Sequence, residues 1–195
     1  MYMDARKPPL NIAGYDPVAT AGDCHYDAEA AEKAVAFFYR CLNFVKGLKA
    51  SEPFKLEAWQ ANIVRTIIGW KRPDGSRRYR QVFNEVTRKN GKTTLLAGIA
   101  IYLLFCDAEA GAECYCAAGD RDQASLAWNS AAAMVRKSAS LQKRCKIRDS
   151  TKRIIDGGLG PQLNLLGGAD DGAASPRRAD SRRRFHAGDL RGHGG

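Results

Sequence analysis

A chain of 195 residues with a hydrophobic share of 45% is long enough for one domain with a sizeable core and too short for two large ones. No apolar run nears the roughly 18 to 20 residues a membrane-spanning helix needs, and no apolar stretch backs the charged first residues as a secretory leader requires. No membrane partner is expected, and the cytoplasm is the expected compartment. The net charge of +10 points to a polyanion, nucleic acid or nucleotide phosphates, or else to a solvated basic face.

Residues 1–27 carry Pro8, Pro9, Gly14, Pro17 and Gly22 with few large apolar side chains, and read as an extended lead-in. Between Ala28 and Leu48 the positions Ala34, Phe38, Cys41, Val45 and Leu48 recur at three and four residues, which predicts a helix capped by Asp27. Leu56, Trp59, Ile63 and Ile67 repeat the pattern and predict a second helix over 56–68. Pro73, Asp74 and Gly75 are turn chemistry. Tyr79 to Val86 is rich in β-formers and predicts a strand, followed by a short polar loop and a strongly apolar helix to Cys106.

Glu113 to Ala118 predicts another strand, and Asp120 to Lys137 a helix with Ala124, Trp128, Ala131, Ala132 and Val135 on its apolar side. Strands alternating with helices imply an α/β fold with a mainly parallel sheet. Six cysteines without a secreted context are expected as free thiols. Cys114 and Cys116 lack the spacing of a zinc knuckle and fall on one face of a strand.

The basic residues are densest from Lys71 to Lys92, and that stretch ends in Arg88, Lys89, Asn90, Gly91, Lys92, Thr93 and Thr94. In a phosphate-binding loop, the amides of a tight turn and the positive end of the next helix surround phosphate oxygens. A lysine adds charge at the β and γ phosphates, and the hydroxyl that follows it serves Mg²⁺. Gly91, Lys92 and Thr93 match the second half of that motif in the required strand, loop and helix setting. The first half departs from it, since Val86 stands where a glycine is usual, so the loop is a variant. The plain alternative is a loop in which Asn90 and Gly91 form only a turn, although a lysine at a helix start opposes the macrodipole unless an anion is present.

With these residues in view, the chain resembles the large terminase subunits of tailed phages. The run Arg88 to Thr94, preceded by Gln81-Val82-Phe83-Asn84-Glu85-Val86, is similar to their deviant Walker A, in which basic residues replace the first glycine region. Phe54 to Gln60 resembles the upstream segment whose glutamine contacts adenine, and Glu113 to Ala124 the strand, loop and helix that follow. The resemblance covers about 29–155 and implies a P-loop NTPase (RecA-like) sheet flanked by helices, with ATP and Mg²⁺ as ligands. It implies that Lys92 neutralises β/γ-phosphate charge, that Thr93 serves Mg²⁺, and that the amides from Lys89 to Thr93 cradle phosphates beside Thr94. It further implies that Gln60 reads adenine, and that Arg88 reaches the γ-phosphate and, with Lys92, belongs to the catalytic set. Double-stranded DNA is the implied partner, with a small terminase subunit and a portal as partners of a full-length parent.

A working ATPase of this type also needs an apolar strand ending in acidic residues. The chain has no Asp-Glu or Glu-Glu pair, and Asp170-Asp171 follows a short run broken by Gly167 and Gly168. Residues 156–195 hold 10 of the 19 glycines, six arginines and no lysine. They are expected to be a disordered tail, either a basic tail or residues read out of frame after about 160. Residues 28–155 are then a partial ATPase domain. Two other readings stay open: a helicase-like ATPase, and a basic DNA-binding or adaptor protein without nucleotide chemistry.

Overall fold

The computed structural model describes residues 15–107, 113–157 and 161–166. Its first element, β1 (His25–Tyr26), leads into helix α1 (Ala28–Cys41). Asp27 caps that helix as expected, its carboxylate accepting from the Ala30 amide at 2.9 Å, which satisfies one of the donors a helix start leaves open. The helix stops at Cys41, short of the expected Leu48. Its continuation folds back instead, with Phe44 donating to Glu52 O and Phe54 to Leu42 O. Gly47 takes a φ of 85° in the turn, and Leu48 is fully exposed. The apolar spacing ran on past the helix because Leu42 and Phe54 close the core there as a loop.

Helix α2 (Ala58–Gly69) packs on α1, and the pair is pinned by the Arg65 to Glu32 ion pair. Strand β2 (Trp70–Lys71) follows and pairs antiparallel with β1. Residues 15–27 are therefore joined to the fold, while 1–14 lie outside the described residues. The expected turn is present, with Gly75 at φ 77° and its amide bonded to Arg72 O.

The predicted strand over 79–86 is not a strand here. The segment belongs to no ladder, and Phe83 is 67% exposed. β-propensity describes a side chain that fits a pleated surface, and a ladder also needs a neighbour. Helix α3 (Lys92–Cys106) then runs as predicted, with Leu95, Ile99, Ile101, Leu103 and Leu104 buried. At about 1.5 to 3 kcal/mol for each buried large side chain, this one helix is a main anchor of the core.

Beyond it, β3 (Glu113–Ala117), α4 (Arg121–Lys137), the short α5 (Ala139–Gln142), β4 (Cys145–Arg148), β5 (Arg153–Asp156) and β6 (Gln162–Leu166) complete the described chain. Asp120 caps α4 through the Gln123 amide at 2.7 Å. The sheet order is β3-β6-β5-β4. β3 and β6 pair in parallel, and β6, β5 and β4 pair antiparallel. The α/β architecture is as expected, and its parallel pairing is confined, among the described residues, to β3 and β6. Cys114, Cys116, Ile147, Ile154 and Leu163 face the helical layer, where Trp128, Ala131 and Val135 are buried.

The expected tail boundary at 156 falls inside this sheet, because β6 lies between β3 and β5. A five-residue run, Gln162 to Leu166, is enough when strands on both sides satisfy its backbone. The expected disorder of 167–195 concerns residues outside those described. All six cysteines are free, and no helix is long and apolar enough to cross a membrane among the described residues.

Candidate nucleotide-binding site

Gly91 is the N-cap of α3, in the left-handed conformation at φ 72°, and offers no side-chain oxygen to the helix start. The amides of Lys92, Thr93 and Thr94 open the helix, where no carbonyl four residues earlier is in position to accept from them. An uncapped start carries roughly half a positive charge. The residues around it add more of the same sign, since Arg88, Lys89 and Lys92 meet no acidic residue between Val86 and Thr94. The loop thus concentrates donors and positive charge in one place, the conditions under which an anion binds.

The loop is held from within. Asn90 Nδ2 donates to Thr87 Oγ1, closing it over four residues, and Lys92 Nζ donates to the carbonyl of Val86. Lys89 holds a left-handed φ of 69°, a conformation that costs a residue with a Cβ about 1 to 2 kcal/mol. Such strain persists only where the surroundings fix it, and it clusters at ligand-binding turns. Arg88, Lys89, Asn90 and Thr93 are exposed, Lys92 and Thr94 half-buried. The ammonium of Lys92 is therefore parked on a backbone oxygen that a phosphate oxygen could replace.

Gln60 is the distant member of the set, thirty residues upstream, and the fold brings it to the loop. It is buried on the first turn of α2, and its Nε2 lies 3.6 Å from where a Cβ on Gly91 would stand. Its Oε1 accepts from the Glu57 amide at 3.0 Å, so the amide group is oriented by its own helix start. Sequence reasoning missed Glu57 as the residue that orients it, although Glu57-Ala58-Trp59-Gln60 has the three-residue spacing of a capping box. It also missed the Val86 carbonyl, which leaves no mark in a side-chain pattern.

The basic stretch from Lys71 to Lys92 divides in two. Arg77 pairs with Asp107 at 3.3 Å. Arg78 donates to Pro17 O at 2.7 Å and to Thr20, with its guanidinium 4.8 Å from the Trp70 ring centre. Those two arginines hold the fold together, whereas Arg80, Arg88 and Lys89 are exposed.

Comparison with known proteins bears on the fold that carries the loop. Over 125 residues the chain is 29% identical to the terminase large subunit of Enterobacteria phage HK97, covering 64% of this chain and 24% of that protein. It spans about a quarter of the length of the curated relative it matches. The crystal structure of the HK97 bacteriophage large terminase superposes with a TM-score of 0.63 at 26% identity, over 75% of this chain and 29% of that one. Residues 58–161, more than half the chain, match the family described as terminase large subunit, ATPase domain, and the chain belongs to that family.

Proposed function

We propose that this chain is the ATP-binding portion of a phage terminase large subunit, the motor that packages double-stranded DNA into procapsids, with a small terminase subunit and a portal as partners of the whole protein. The observation that carries the reading is the uncapped start of α3 with Lys92 Nζ resting on the Val86 carbonyl. Lys92 moves from that carbonyl to the β and γ phosphates, and the amides from Lys89 to Thr93, with Asn90, Gly91 and Thr94 shaping the turn, surround their oxygens. The exposed hydroxyl of Thr93, on the first turn of α3, serves the Mg²⁺ that travels with ATP.

Arg88 is exposed beside the loop and reaches the γ-phosphate, where charge grows during transfer. Gln60 contributes its Nε2 edge to the adenine. In the whole protein, hydrolysis of the ATP held here would supply the energy that drives translocation. Hydrolysis also needs a carboxylate pair of a kind the sequence does not hold as Asp-Glu or Glu-Glu, so the reading assigns nucleotide binding, and not turnover, to these residues.

Thermal unfolding with and without ATP and Mg²⁺ tests it. A ligand at a hundred times its dissociation constant stabilises by about 2.7 kcal/mol, which for a chain of this size raises the melting temperature by roughly 5 to 10 °C. Lys92→Ala should abolish the rise and leave the unliganded melting point close to that of the parent. Equal shifts in both proteins would overturn the assignment.

A further inference from the structure

The strand register lines up side chains on the sheet face turned away from α3 and α4. Tyr115, Asn164, Arg153 and Arg148 stand in one row across β3, β6, β5 and β4, and Glu113, Gln162, Ile155 and Lys146 in the next. Residues two apart on a strand share a face, so Lys146 and Arg148 join Arg153 on this side. All three are exposed, and among the described residues no carboxylate lies within ion-pair distance of any of them.

Arg148 and Arg153 are direct cross-strand partners, and like charges placed opposite each other destabilise a sheet. Neighbouring basic residues are used differently: Arg144, just before β4, pairs with Asp156, and Arg136, in the last turn of α4, with Asp149. Lys152 sits 4.7 Å from the Trp128 ring centre. What remains is a compact, unneutralised cluster at the β4 side of the sheet, while Glu113 closes the β3 side by bonding Gln162 at 2.7 Å.

We propose that this face, through Lys146, Arg148 and Arg153, is a docking surface for the phosphate backbone of duplex DNA. The proposal rests on the function proposed above, which supplies a duplex as the partner. Charge complementarity selects the backbone: the row repels itself when empty, and paired guanidinium groups match phosphate oxygens in a two-bond geometry that water does not reproduce. Base reading is not implied, since such contacts set position and not sequence. The surface is distinct from the nucleotide loop, whose cations sit at the start of α3.

The test is fluorescence anisotropy of the full chain with a labelled random-sequence duplex over a salt series. The variant K146Q/R148Q/R153Q is compared with K46Q/K49Q/K55Q, which removes the same charge from exposed positions on another surface. The first should weaken duplex binding at least about tenfold and lower the slope of log affinity against log salt by about 2 to 3, at roughly 0.9 for each lost phosphate contact. The second should leave both nearly unchanged. R148K/R153K, which keeps the charge, should bind between the two, and circular dichroism checks that each variant is folded.

Equal losses in the two triple variants would overturn the proposal, as would equal affinity for polyglutamate and duplex. So would unchanged binding in the first variant, which would make these charges a guard against edge pairing of β4. ATP protection against unfolding is read in the same variants. Its loss in Lys92→Ala and its survival in K146Q/R148Q/R153Q separate failure of this surface from failure of the nucleotide site.

Discussion

The Nε2 of Gln60 lies 3.6 Å from the position a Cβ on Gly91 would occupy, so the first turn of α2 supports the loop at the point where α3 begins. That distance is an ordinary van der Waals contact, and a methyl group at 91 would fit. The backbone is the obstacle, because Gly91 has a φ of 72°. Gly91→Ala is expected to cost about 1 to 2 kcal/mol in urea unfolding and to weaken ATP binding. Gly91→Asn, which tolerates that conformation better, should lose less. Indistinguishable midpoints for all three proteins would mean that the turn does not need a left-handed residue there.

A second glycine is fixed by space and not by torsion. A Cβ on Gly98 would stand 2.3 Å from Cε1 of Phe38, a ring fully buried and held edge-on by Phe37 and Phe54. Overpacking of this kind costs about 1 to 3 kcal/mol. Gly98→Ala should lower stability by that amount, and Phe38→Leu should recover part of it. A double-mutant cycle with no coupling between the two positions would refute the contact.

The local features were the legible ones. Asp27 caps its helix as its position predicts, and the apolar run after Lys92 is a helix, because caps and periodicity depend on neighbours in sequence. The end of α1 was misplaced because Val45 and Leu48 keep the helical spacing while the chain turns at Gly47. The pairing of the β-rich segment before the loop and the strand at 162–166 depends on which strands lie beside them, and that information is not local. The site divides in the same way: the loop could be read from its own residues, whereas its approach to Gln60 comes from the packing of α2 near the start of α3.

Burial sets a pH limit on the alkaline side. The Cys116 thiol is pushed up to about 11 from 9.0, by burial first and then by neighbouring Cys114. A group whose folded pKa is raised contributes stability in full below the unfolded value and loses it as pH rises through the folded one. Its contribution, on the order of 1 to 2 kcal/mol once partial solvation is allowed for, should therefore be intact at pH 8 and decline between pH 9 and about 11. Tyr102, raised by burial from 10.0 to about 12, extends the decline upward. Unfolding free energies measured by urea from pH 7.5 to 10.5 should be flat and then fall, with a shallower fall in Cys116→Val. An equal slope in that variant would remove the thiol as a cause.

Arg78 shows why a basic run cannot be read as a surface. Its guanidinium donates to Pro17 O and Thr20, lies over Trp70 and Tyr79, and stands beside the bond between the hydroxyls of Tyr15 and Tyr79. One planar fork thus ties the turn at 16–20 to the end of α2 and to the chain that leads into the loop. Arg78→Lys keeps the charge but loses the fork and much of the stacking, and Arg78→Met loses both hydrogen bonds and charge. At about 1 kcal/mol for each of the three hydrogen bonds and 0.5 to 1 for the ring contact, the methionine variant should lose roughly 3 to 4 kcal/mol and the lysine variant about half of that. Hydrogen exchange should accelerate at Val18, Ala19 and Ala21 in both variants, while the amides inside α4, which does not touch this corner, keep their relative protection. An Arg78→Met protein with unchanged exchange at 18–21 would show that the turn is held by Tyr15 and Tyr79 alone.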